Sequence, residues 1–143
     1  MKSFLVLITL ALTLANPTYA NSTLKSAARI ANKQNEADGI PFRWVLEKSG
    51  GNTIMTLQML PLPTGRSKAD ATLTADTLKS ISEKEQAKGR ATAVLKEVRL
   101  MPDGGEVWIL ESDVGIAYVV HFADSPQGGV DMTLAGPFSY TQR

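Results

Sequence analysis

His121 is the only histidine in the 143 residues, and the chain has no cysteine. A nucleophilic mechanism would therefore need a serine, threonine or carboxylate with His121 as its base. Ser112 and Asp113 have suitable groups. They sit at the far end of the strand that carries His121, roughly 25 Å or more away at ~3.3 Å per residue. Asp124 and Ser125 follow His121 closely, yet neither lies in a nucleophile-elbow glycine pattern. A small hydrolase using His121 would have to recruit partners that only the fold brings near.

The carboxylates form no local acid–base pair. Glu106 and Glu111 are an odd number of positions apart on one strand and so face opposite ways, while Glu83 and Glu85 diverge around a helix. All four read as solvated charge. One histidine without cysteine is a poor start for a metal site. Met55 and Met59 share a strand face, but at ~13 Å apart they cannot hold one copper ion. The methionines read as packing residues. No glycine run cradles a phosphate: the glycines at 50–51, 104–105 and 128–129 mark turns. No metal and no cofactor is expected.

The elements that would position these residues start with an export signal. MKSFLVLITLALTLANPTYA has Lys2, an apolar run from Phe4 to Leu14, then Pro17 and small residues before Asn21. That order predicts a secretory signal over 1–20 and one α+β domain over 21–143. As a helix the apolar run spans ~16 Å, short of the ~30 Å hydrocarbon core, so no membrane span is expected after cleavage. Losing Lys2 with the leader brings the 15 Lys plus Arg level with the 14 Asp plus Glu. A neutral chain without basic tracts argues against nucleic acid as partner. The setting expected is the bacterial periplasm, or secretion beyond it. A disulfide-free chain there must fold on its hydrophobic core.

Residues 22–38 carry Leu24, Ala27, Ala28 and Ala31 at helical spacing, with Ser22 or Thr23 as cap and Gly39 as stop. That face is mostly alanine, so the helix should be peripheral. Residues 42–48 and 53–60 alternate around Ser-Gly-Gly-Asn and predict a β-hairpin. The connector 61–70 holds two prolines and a glycine. A second helix is expected over 71–88, with Leu78 and Ile81 buried and Gly89 as stop. Strands are expected over 93–101, 105–112, 116–123 and 130–135, the first three joined by short turns into an antiparallel meander. A helix followed by such a meander resembles cystatin-like and nuclear-transport-factor-like architectures, a likeness of layout that implies no activity.

Turn chemistry predicts the faces. Pro102-Asp103-Gly104 and Asp113-Val114-Gly115 both fit three-residue loops with glycine in the left-handed position. Val98 should then face Trp108, Trp108 should face Val120, and Leu110 should face Tyr118. Alternation gathers Val98, Leu100, Trp108, Leu110, Ile116, Tyr118, Val120 and Phe122 on the side covered by the second helix. The opposite face holds Val107, Ile109 and Val119, ringed by Glu97, Arg99, Glu111 and His121. An apolar centre with a charged rim is the layout of a modest protein-binding site. The alternative is that the N-terminal helix or the hairpin covers it.

The function expected is a small exported binding protein of the bacterial envelope, an inhibitor, immunity factor or assembly accessory. It would grip another envelope or secreted protein through Arg99, Val107, Ile109, Val119 and His121, without catalysis. A hydrolase using His121 and a carrier of an apolar ligand are the alternatives.

Overall fold

The computed structural model describes residues 17–142. Most of the expected signal, residues 1–16, lies outside them. Among the described residues the chain runs α1 (Pro17–Ala37), β1 (Phe42–Ser49), β2 (Asn52–Met59), α2 (Ala71–Ala87), β3 (Leu95–Leu100), β4 (Glu106–Leu110), β5 (Gly115–Asp124) and β6 (Val130–Tyr140). The pairing is antiparallel throughout, in a two-stranded sheet β1-β2 and a four-stranded sheet β3-β4-β5-β6. This is the α+β arrangement the patterning predicts. No helix among the described residues is long and apolar enough to cross a membrane.

Gly50 and Gly51 both adopt left-handed φ, 55° and 81°, as the two-residue turn of a tight hairpin requires. Ser49 then pairs with Asn52, and Phe42 with Met59. Phe42, Trp44 and Leu46 therefore share a face with Met55, Leu57 and Met59.

At the first meander turn Gly104 is left-handed, Met101 N–H donates to the Gly105 carbonyl at 2.9 Å, and Val98 pairs with Trp108 as expected. The second turn differs by two residues. Trp108 pairs with Tyr118 rather than Val120, and Glu106 takes Val120. The strands are joined by Glu111-Ser112-Asp113-Val114, and Gly115 begins β5 without a left-handed φ. Gly115 serves close approach instead: a Cβ there would stand 2.3 Å from the Tyr140 carbonyl oxygen of β6. A slip of two residues keeps every side chain on its face, so the partition survives the error.

The α2 side of the sheet is therefore as expected. Ile81 and Leu78 pack with Val98, Trp108, Leu110, Ile116, Tyr118 and Val120. The start of α2 is fixed by Asp70, whose Oδ1 accepts from the Leu73 N–H at 2.8 Å. β6 runs on to Tyr140 instead of stopping at 135. A bulge between Ala117 and Val119 lets the ladder resume beyond Gly136–Pro137, whose peptide bond is cis.

The opposite face is closed. Val107, Ile109 and Val119 are 0%, 3% and 2% exposed, packed with Phe42 and Leu57 of the hairpin. The Phe42 ring stacks on Phe138 of β6 at 4.8 Å, and Thr141 N–H donates to the Leu57 carbonyl at 2.8 Å. The apolar centre, which the sequence left as either a binding patch or a covered face, is thus a second core layer under the hairpin. Trp44, Met59 and Leu62 need a cover as much as that face does, and each buries the other.

Both sheets also protect an edge. The connector 61–70 lies along β3, where Leu100 N–H donates to the Pro63 carbonyl and Gly65 N–H to the Val98 carbonyl. Along β1 the edge is met by α1. Asn32 accepts from the Trp44 N–H at 2.7 Å and donates to the Trp44 carbonyl at 2.9 Å, as a neighbouring strand would. Asn35 donates to the Phe42 carbonyl at 3.0 Å. The expected caps Ser22 and Thr23 lie inside the helix, and among its described side chains it buries little beyond Ala28. These amide bonds are its main tether. Asn32→Ala should cost ~1–3 kcal/mol, because it strips two hydrogen bonds from one residue of β1. A thermal melt with amide exchange at Trp44 measures it; an unchanged Trp44 amide would show that α1 is not held there.

Candidate binding groove

A groove of about 860 Å3 opens between α1 and β1. Its walls follow from helix geometry. Lys25, Arg29 and Lys33 recur every fourth residue, so they stand on one side of α1, facing the groove with Asn32. Arg43 of β1 adds a fourth cation, and Glu36 is the one acid in the lining. None of the four cations takes part in an ion pair among the described residues. The floor is apolar: Ala28, Ile40, Phe42, Trp44, Leu46 and Leu60. The volume lies within the usual range for ligand sites, ~300–1,000 Å3. An apolar floor under unpaired cations suits a partner with both apolar and anionic groups. The sequence held the signal, cations at i, i+4 and i+8, beside the alanine face on which the helix reading rested.

Of the five residues read from the sequence as a binding site, Arg99, Val107 and Val119 are neighbours across the sheet and Ile109 joins Val107 and Val119 in one layer, but that layer is buried. Val107, Ile109 and Val119 lie under the hairpin. Arg99 borders a recess of about 300 Å3 with Ile109, Tyr140 and Gln58. Its guanidinium pairs with Glu97 at 2.7 Å and donates to the Leu62 carbonyl at 2.9 Å, so it fastens the connector. Burial pushes the Tyr140 phenol up in the same recess.

His121 stands apart, partly exposed. Because of the slipped register it lies beside Gly105 rather than level with Val107: a Cβ on Gly105 would be 2.4 Å from His121 Nε2. That nitrogen is 3.0 Å from Asp103 Oδ2. In the sequence Asp103 reads only as a turn residue. The Gly105 N–H, and then His121, hold its carboxyl below the usual range. A histidine oriented by a carboxylate is half of a nucleophilic set. Ser67, on the neighbouring connector, donates its hydroxyl to Glu106 at 2.7 Å and does not complete it.

Two carboxylates read as solvated are buried. Glu106 accepts from Ser67, from the Lys68 N–H at 2.7 Å and from Trp108 Nε1 at 2.7 Å. Glu85 bonds Tyr118 Oη and the Arg90 guanidinium. The helix pattern misled here because Leu78 and Ile81 continue to position 85, one further turn along the buried face. Arg90 holds the Glu85 carboxyl below its ordinary 4.5, and burial pushes the Tyr118 phenol up. Folding therefore releases protons from Glu85. Its stabilisation is present above about pH 4.5 and fades as pH falls through the lowered folded value. Glu85→Gln should lower stability at neutral pH and flatten the acid limb of a stability–pH curve, read from urea melts between about pH 3 and 7. An unchanged limb would mean another carboxylate governs it.

No protein-family model, curated protein or solved structure matches this chain.

Proposed function

We propose that the protein is an exported, non-catalytic binding protein that takes its partner in the groove between α1 and β1. The carrying observation is that groove: four unpaired cations over an apolar floor, in a chain otherwise balanced in charge. The export signal over 1–20 supplies the setting, the bacterial envelope or the medium beyond it. Cleavage after Ala20 would remove only the first four residues of α1 and leave every groove residue in place. N-terminal sequencing of the protein recovered from the envelope should give Asn21; a start at Met1 would overturn the export reading.

The groove is tested by reversing its charge. Lys25, Arg29 and Lys33 are exposed, so the triple change to glutamate should leave the fold intact. Crosslinked capture from the envelope fraction should recover a partner with the wild type and lose it with the triple variant. Equal capture by both proteins would place binding elsewhere.

A second reading rests on one contact. The His121–Asp103 pair favours a small hydrolase whose nucleophile comes from the substrate side, such as a bound water. His121→Ala should then abolish ester hydrolysis and leave groove binding untouched, whereas the binding reading expects no hydrolysis to abolish.

A further inference from the structure

We infer that the partner presents an extended acidic segment, which adds as a strand to the free part of the β1 edge in the groove. This deepens the proposed binding role and rests on the groove being the binding site. Residues from both faces of β1, Arg43 and Val45 on one and Trp44 and Leu46 on the other, line the same groove. The groove therefore follows the strand's edge rather than a face of the hairpin.

Backbone groups point to the mode. Trp44 turns its N–H and C=O outward from β2, where Asn32 takes both. Alternation makes Leu46 the next outward-facing residue, and among the described residues its N–H and C=O have no partner. Asn32 stands in for one residue of a missing strand, and a bound segment would continue that strand past Leu46.

The charges point to the composition. Lys25, Arg29 and Lys33 repeat at ~6 Å along the helix. Alternate side chains of an extended chain repeat at ~6.6 Å. Acidic residues at every second position can meet successive cations, with apolar residues between them against Trp44 and Leu46. A single anionic head on an acyl chain would leave most of the cations and both Leu46 groups unmatched. The chain's own residues 1–16 fit poorly, since they contain Lys2 and no acid.

The test uses the purified chain and a short synthetic peptide alternating glutamate and valine. Controls are the same peptide N-methylated at alternate residues, a lysine–valine counterpart, and palmitate. Trp44 fluorescence reports occupancy, and amide exchange reports Leu46. The acidic peptide should shift the Trp44 signal and slow Leu46 exchange at least about tenfold. N-methylation and the triple charge reversal should each weaken it about tenfold or more, and the lysine peptide should not bind. If palmitate or the N-methylated peptide binds as well as the parent, the groove is a site but strand addition is wrong. A Leu46 amide already protected in the free chain would mean its own residues fill the edge, which also overturns the proposal. If no probe moves Trp44, the groove reading falls as well.

Discussion

Ile109→Asp is expected to unfold the protein. Ile109 is 3% exposed, between Phe42 and Leu57 of the hairpin on one side and its own sheet on the other. The substitution removes a buried aliphatic side chain, a change that costs ~2–5 kcal/mol in well-packed cores. It also sets a second carboxylate opposite Glu97, the cross-strand partner of Ile109 that already engages Arg99, on a face closed to water, which adds several kcal/mol unless the group protonates. Together these approach the whole stability of a small domain, ~5–15 kcal/mol. Val114→Asp is the matched control, because Val114 is 60% exposed in the loop between β4 and β5 and should change stability by less than ~0.5 kcal/mol. Thermal melts of the two variants test the layer order. A folded Ile109→Asp would show that the hairpin does not seal this face, and would favour the open patch, one of the two readings the sequence allowed.

The contrast between that expectation and the structure marks where the sequence is informative. Periodicity located both helices and the strands, because each buries one face and the pattern of apolar residues records it. It also separated Trp108 from Val107, since side-chain alternation survives a register slip of two. Periodicity does not say what lies over a face. Val107, Ile109 and Val119 look alike in sequence whether they meet solvent, a partner or Phe42, and the choice is made by a hairpin some fifty residues earlier in the chain. Composition also misplaced Glu85 and Glu106. A carboxylate among lysines reads as solvated until Tyr118, Trp108 and Arg90 converge on it from other elements. Asp103 was hidden differently: its fitness for a turn explained it fully, and its reach to His121 depends on pairing that the misread Gly115 turn displaced.

The groove was legible in part. Lys25, Arg29 and Lys33 were visible at helical spacing, and Phe42, Trp44 and Leu46 were visible as one strand face. Their juxtaposition was not, because it depends on Asn32 and Asn35 grasping the edge of β1. Asparagine is a weak helix former whose side chain competes for backbone groups, usually its own. Here the competition is resolved against another element. An asparagine pair at i and i+3 on a poorly apolar helix is, in retrospect, the trace of a helix tethered by amides rather than by a hydrophobic seam.

Trp108→Ala is expected to cost ~4–8 kcal/mol, more than volume alone would predict. The ring is wholly buried between α2 and the sheet and meets Phe122 edge-on at 6.2 Å. Truncating so large a side chain costs ~3–5 kcal/mol through lost burial and the cavity left behind. The indole also donates Nε1–H to Glu106 Oε2, and Glu106 is 0% exposed. Removing one of its three donors leaves a buried acceptor short in a place water does not reach, which adds ~1–3 kcal/mol. Trp108→Phe separates the two effects: it keeps most of the ring volume and removes only the donor, so it should cost the smaller amount plus a modest packing loss. Ser67→Ala removes another donor to the same oxygen from the connector side and should cost a similar ~1–3 kcal/mol. Because both donors serve one carboxylate, the double variant should depart from additivity by ~0.5–3 kcal/mol. Urea melts of the four proteins supply the cycle. Strict additivity would mean that Glu106 does not couple the connector to the core, and that Trp108 acts through its volume alone.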